Sequence, residues 1–179
     1  MSSVIKQSHE LLMSHINKES NVVDCTCGNG QDTLFLAKKV KHVYAFDIQE
    51  TALTNTKNLL IENKLDNVTL IHKGHEFLSD HVKENIDAAI FNLGYLPNGD
   101  KSITTSFSST KQAIEQLLDI LNQFGVIILV VYTGHDEGAK ESKALLDYLS
   151  TFSLKGYFVN KITSVNHIKA PYIISIVKR

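Results

Sequence analysis

An α/β fold with a doubly wound, mostly parallel sheet is predicted by three features of the sequence. Short apolar runs alternate with longer helical patterns, the arrangement that strand-helix-strand crossovers produce. The central runs are nearly continuous in apolar residues, as strands covered on both faces are. The last two runs, 157–165 and 172–179, are joined by about six residues, fewer than the dozen or so that a parallel crossover needs. They are expected to form an antiparallel hairpin that closes a sheet of seven strands, with helices on both faces.

The elements follow in order. The chain opens on an amphipathic helix whose apolar face draws on Val4, Ile5, Leu11, Leu12 and Ile16, while Lys6, His9 and Glu10 break any continuous apolar segment of the kind a signal peptide needs. Strands are predicted over 21–26, 42–47, 67–72, 86–91 and 126–132. Between them lie the helical patterns "QDTLFLAKKV", "QETALTNTKNLLIENK" and "FSSTKQAIEQLLDILNQ"; in the last, Ile114, Leu117, Leu118 and Leu121 share one face. A further helix, "HDEGAKESKALLDYLSTF", follows the fifth strand. Asp66-Asn67 and Gly125 mark boundaries. With no shift in composition, no internal repeat and no low-complexity tract, 1–179 reads as one domain.

Composition narrows the setting. Hydrophobic residues make up 43% of the 179, which suits a packed core. No apolar run approaches the roughly 20 residues that span a bilayer, so no membrane partner is expected. The first 20 residues lack the layout of a signal peptide. Two cysteines without an export signal favour a reducing, cytoplasmic location over a disulfide framework. The net charge of -1 is unevenly distributed: residues 148–179 carry five bases and no acid, whereas 1–147 carry 13 bases and 19 acids. A basic end on an acidic body is either a footprint for a polyanion or a solvated face.

The segment "DCTCGNGQDT" (24–33) ends the first strand and opens a helix. Glycines at 28 and 30 let the backbone approach a ligand, and the helix behind them offers free N–H groups to an anion. Open α/β sheets bind ligands at this edge. The segment therefore reads as a nucleotide-type cofactor loop, with Asp47 at the end of the second strand as the acid for ribose hydroxyls. The dinucleotide fingerprint G-x-G-x-x-G is not matched, because Thr33 stands where the third glycine belongs. Structural zinc usually takes four Cys or His ligands, and no second cysteine pair exists, so no metal is predicted. Strand alternation places the thiols of Cys25 and Cys27 on one face, as part of the pocket wall.

Three other strand ends reach the same edge. The fourth runs into "FNLGYLPNGDKS" (91–102), the third into His75 and Glu76, and the fifth into Tyr132 and His135. The D-x-x-x-G-x-G pattern with an acid ending the second strand resembles the first two motifs of class I S-adenosylmethionine-dependent methyltransferases, with Thr26 in place of a glycine. Asn92 and Tyr95 have the spacing of the N-P-P-Y-type motif of amino-methyltransferases, with Leu93 and Gly94 in place of the prolines.

Together "DCTCGNGQDTLFLA", "VYAFDIQ", "LIHKGHE", "FNLGYLPNGDKS" and "VVYTGH" resemble the YtqB-like rRNA methylases, a family that includes tRNA wobble-uridine methyltransferases. The resemblance implies a class I methyltransferase fold, S-adenosylmethionine as cofactor and the anticodon stem-loop of tRNA as partner. The implied reaction is N-methylation of 5-aminomethyl-2-thiouridine to 5-methylaminomethyl-2-thiouridine; an rRNA, a small-molecule amine or a protein amine is the alternative acceptor. It implies that Asp24, Thr26, Cys27, Gly28, Asn29, Gly30, Asp32, Thr33, Asp47, Ile48, His75, Glu76, Asn92 and Leu93 bind the cofactor. Asn92, Tyr95, Tyr132 and His135 are the catalytic candidates, and Gly94, Lys101 and Lys169 the substrate-binding ones. Homodimerisation would enlarge the tRNA surface. A nicotinamide-dependent oxidoreductase and a non-catalytic RNA-binding domain are the other classes that the scaffold admits.

Overall fold

The computed structural model describes residues 3–94, 104–134, 136–167 and 170–179. After α1 (Ser3–Met13), β1 (Asn21–Asp24), α2 (Gln31–Ala37), β2 (His42–Asp47), α3 (Glu50–Glu62) and β3 (Val68–His72) alternate. A 3₁₀ turn (His75–Phe77) runs into α4 (Leu78–His81), followed by β4 (Ile86–Leu93), α5 (Phe107–Ile120), β5 (Leu121–Val131) and α6 (Asp136–Leu149). The strands β6 (Tyr157–Ile162) and β7 (Tyr172–Lys178) close the chain.

The strands form one seven-stranded sheet in the order β3-β2-β1-β4-β5-β7-β6. The first five pair in parallel, and β7 inserts antiparallel between β5 and β6, as the short connector requires. The strand order reverses at β1, between β2 and β4, which opens a crevice at the carboxyl ends of these strands.

Successive strand residues alternate between two buried clusters, one on each face. Val23, Phe46, Phe91 and Leu129 pack with Leu78, Ile114, Leu117 and Leu145 of α4, α5 and α6. Val22, Ala45, Ile90 and Ile128 pack with Leu12, Leu36 and Leu60 of α1, α2 and α3. Each such aliphatic side chain contributes about 1.5–3 kcal/mol on burial, so both helical layers are held by the sheet rather than by helix propensity. Leu12 on α1 and Ile16 just beyond it are buried and Val4, Ile5 and Leu11 half-buried, as the periodicity predicts.

Several boundaries differ from the sequence prediction. The fifth strand begins at Leu121, inside the predicted helix, because Leu121 takes an extended backbone and pairs with Ile86. Lys178 Nζ donates to the carbonyls of Leu118 and Leu121 at 3.1 and 2.7 Å, satisfying the end of α5. The first strand ends at Asp24, two residues early. Beyond it the Cys25 N–H pairs with Ile90 of β4 and the Cys27 N–H with Phe46 of β2, each at 2.9 Å. The thiols consequently do not share a face: Cys25 joins the cluster under α4–α6, and Cys27 the cluster under α1–α3. Among the described residues no helix is long and apolar enough to cross a membrane.

Candidate active site

The crevice at the strand-order reversal is a cavity of about 350 Å3, within the usual range for small-ligand sites. The ends of β1, β2, β3 and β4 and the segment leading into α5 line it.

The β1 end is held by its own polar groups. Asp24 is fully buried; it accepts from the Thr33 hydroxyl at 2.6 Å and from the Thr26 N–H at 3.2 Å. Burial, then the charge of Asp32, push its carboxyl up to about 7. Asp24 therefore shapes the loop from below rather than lining the cavity. Gly30 sits at φ 80, and a Cβ there would meet the Thr56 side chain and its Cα at 2.8–3.0 Å, so α3 seats directly on the turn. The Thr56 hydroxyl donates to the Gly28 carbonyl at 3.0 Å. Asn29 accepts from Asn55 on the exposed rim.

Thr26 stands where the methyltransferase pattern has glycine. Its hydroxyl accepts from the Asn92 N–H at 2.7 Å. The substitution thus ties the loop after β1 to the end of β4, a function that a glycine cannot perform.

At the β2 end, the Asp47 carboxylate accepts from the Gly28 and Gln49 N–H groups, each at 2.9 Å. One bond per oxygen leaves lone pairs free for further donors. Ile48 lies beside it, half-exposed, as an apolar wall. At the β3 end, His75 is buried, and its Nδ1 donates to the Cys25 carbonyl at 3.0 Å. That bond fixes the tautomer, so the neutral ring leaves Nε2 as an acceptor, and this buried atom has no partner among the described residues. Burial lowers its pKa below the usual value and keeps it neutral. Glu76 lines the cavity next to it.

At the β4 end, Asn92 lines the cavity and Leu93 is buried behind it. Asn92 Nδ2 donates to Asp32 Oδ2, and Asp32 Oδ1 meets His9 Nε2 at 2.6 Å. The carboxylate can only accept, so the carboxamide must turn its nitrogen to Asp32. Its Oδ1 is buried and has no partner among the described residues. Gly94 adopts φ 152 with open space where a Cβ would stand, and its carbonyl accepts from the Thr105 N–H at 3.1 Å. Tyr132 is half-buried near Asp32; burial first, then that negative charge, raises its pKa.

Four of the predicted residues, Tyr95, Lys101, His135 and Lys169, lie outside the described residues. The structure brings Thr26, Gly28, Asp47, Ile48, His75, Glu76, Asn92 and Gly94 to one cavity. It places Asp24, Asp32 and Thr33 one layer behind it. Sequence reasoning missed His9, although it falls on the apolar stripe of α1 with Ile5 and Leu12, and that position was the available signal. It also missed Gln49, Lys73 and the hydroxyl-rich segment Thr104, Thr105, Ser106 and Ser109, which carry no motif.

The thiols are poor ligands and nucleophiles. Burial and then the Asp24 charge raise both far above the ordinary range, and among the described residues no group of three metal-binding side chains exists. The basic C-terminal segment is partly engaged within the fold. Lys178 caps α5, Arg179 donates to the Leu154 carbonyl, and Lys161 sits over the Tyr172 ring at 4.3 Å.

Comparison with known proteins follows the same lines. The profile of a family described as "Putative rRNA methylase" matches residues 43–178. A chloroplastic tRNA (mnm5s2U34)-methyltransferase of Arabidopsis thaliana is 35% identical over 96% of this chain and 68% of its own. A crystal structure described as a "putative rRNA-methylase" from Clostridium thermocellum superposes with a TM-score of 0.96 at 36% identity, covering 100% of this chain and 99% of that one. A second, described as a "putative methyltransferase" from Streptococcus mutans in complex with SAH, gives 0.93 at 37% identity over 100% and 99%. The architecture is that of the class I S-adenosylmethionine-dependent methyltransferases. By cavity, fold and full-length similarity, this chain belongs to the rRNA methylase family.

Proposed function

We propose that this protein is an S-adenosylmethionine-dependent tRNA methyltransferase that converts 5-aminomethyl-2-thiouridine at the wobble position into 5-methylaminomethyl-2-thiouridine. The similarity to the chloroplastic tRNA enzyme supports this acceptor over an rRNA, a small molecule or a protein. The observation that carries the chemistry is Asn92. Its amide nitrogen is committed to Asp32, which leaves Oδ1 as the atom for a substrate N–H.

The cavity fits the cofactor. Asp47 keeps acceptor capacity for two ribose hydroxyls, Ile48 offers an apolar face for a purine, and His75 lines the cavity wall beside Glu76. When bound, S-adenosylmethionine supplies a methyl group on a sulfonium, an electrophile suited to a neutral amine. The protein's part is to hold that amine unprotonated and aimed. Asn92 Oδ1 and the Leu93 carbonyl accept its two N–H bonds, which leaves the lone pair a single direction. Positioning of this kind can contribute ~7–11 kcal/mol to the barrier reduction. Nitrogen is itself the nucleophile, so no thiolate is required, in keeping with the two protonated cysteines.

Tyr132, half-buried near Asp32, is assigned as the ring that packs on the base. Tyr95, as a second stacking ring, His135, as a proton acceptor, and Lys101 and Lys169, as phosphate contacts, complete the reading on the sequence alone. The anticodon stem-loop is the part of tRNA presented to the cavity, and two copies of this single methyltransferase domain would offer it a larger surface. Nucleoside mass spectrometry of a deletion strain tests the reading. Accumulated aminomethyl-thiouridine is expected, and an unchanged wobble profile would refute it.

A further inference from the structure

We infer that His9 is a positioning residue of the methyl-transfer site, acting through Asp32 to set which end of the Asn92 carboxamide meets the substrate. The inference deepens the functional reading above and rests on its assignment of Asn92 to the amine.

Three side chains from separate elements form one line. His9 of α1 meets Asp32 of α2 at 2.6 Å, and the other Asp32 oxygen accepts from Asn92 at the end of β4. His9 and Asp32 are both buried, with side chains only 6% and 9% exposed. His9 does not choose this position freely. Its ring is stacked on Phe35 of α2, with centroids 3.8 Å apart and planes 6° from parallel, so Nε2 is aimed at Asp32 by packing as well as by the hydrogen bond. Because Asp32 only accepts, His9 must present Nε2–H, and Asn92 must present its NH2 group.

The orientation matters chemically. Asn92 Oδ1 toward an amine accepts an N–H and leaves the nitrogen lone pair free. The flipped carboxamide would instead offer N–H to the lone pair and occupy the electrons that form the new bond. With His9 removed, half of the anchoring of a buried carboxylate is lost. Left with Asn92 as its one remaining side-chain partner, the Asp32 carboxylate can then turn, and the Asn92 carboxamide loses the fixed acceptor that orients its NH2 end. His9 prevents this by holding Asp32 in place.

Two variants and two readouts test this. His9→Phe keeps the stack on Phe35 and removes the donor; His9→Gln replaces the Nε2–H with an amide N–H at a similar reach. With aminomethyl-thiouridine tRNA, His9→Phe should lower kcat about tenfold with cofactor affinity by calorimetry unchanged, and His9→Gln should recover most of the loss. In the protein alone, the ¹⁵N side-chain amide signal of Asn92, assigned by its disappearance in Asn92→Asp, should shift in His9→Phe and return in His9→Gln. An Asn92 signal identical in wild type and His9→Phe would overturn the inference, as would an unchanged kcat. If wild type itself fails to methylate tRNA, the functional reading fails, and the amide signal still decides whether His9 sets Asn92.

Discussion

The two sides of the cavity are built by opposite means. On the side of β1, β2 and β3, the acids are already bonded to the chain: Asp47 to two backbone amides, Asp24 to Thr33 and Thr26. On the side of β4, the bonding runs backward, from Asn92 through Asp32 to His9, and leaves one amide oxygen without a partner among the described residues. The first arrangement fixes a shape into which a ligand fits. The second holds a single atom ready for the group that reacts. Substitutions on the first side should therefore change affinity for the cofactor, and substitutions on the second should change turnover.

The largest effect should fall on the β4 side. Asn92→Ala should lower kcat about 100-fold in a tRNA methylation assay, the usual cost of removing one oriented hydrogen-bonding group from a reacting centre. Equal loss of cofactor affinity in that variant would erase the distinction between the two sides. On the other side, Asp47→Ala should weaken cofactor binding about 10- to 100-fold by calorimetry, while kcat at saturating cofactor falls far less.

Asp24 offers a sharper test, because it stabilises the loop without touching the cavity. Its folded pKa lies near 7, above the unfolded value of 3.8, so the folded state holds the proton more tightly. Folding stability should fall as pH rises from about 4 to 7 and level off outside that window. Denaturation of Asp24→Asn across the same range should lack this descent; parallel curves would contradict the assignment. The smallest effect concerns the thiols. Both are buried and protonated, so the native protein should resist alkylation at pH 8 and react only on unfolding.

Much of this was legible in the sequence, for physical reasons. Apolar periodicity reports burial, and burial on two faces of a sheet fixes strand and helix order, including the antiparallel end. Glycines and an acid at strand ends report the cofactor edge, because only certain backbones and charges serve there. The line from His9 to Asn92 was not legible, since its members lie 23 and 60 residues apart and meet only through the fold. Thr26 read as a defect in a motif until its hydroxyl was seen to hold the Asn92 amide. The pairing of Cys25 and Cys27 was misread because strand alternation was carried three residues past the end of β1, where the backbone turns to a new neighbour on each side. The charge of the basic C-terminal segment left open a polyanion footprint or a solvated face, and the sequence could not show that Lys178 and Arg179 bond to carbonyls of the fold itself.

The central claim is that this cavity moves a methyl group to the wobble aminomethyl nitrogen. It is tested most directly by incubating the purified protein with S-adenosylmethionine and tRNA bearing 5-aminomethyl-2-thiouridine, then digesting the tRNA and weighing the wobble nucleoside. The account predicts conversion to 5-methylaminomethyl-2-thiouridine, lost in Asn92→Ala. An unmodified nucleoside, recovered under conditions where the protein demonstrably binds both cofactor and tRNA, would contradict it.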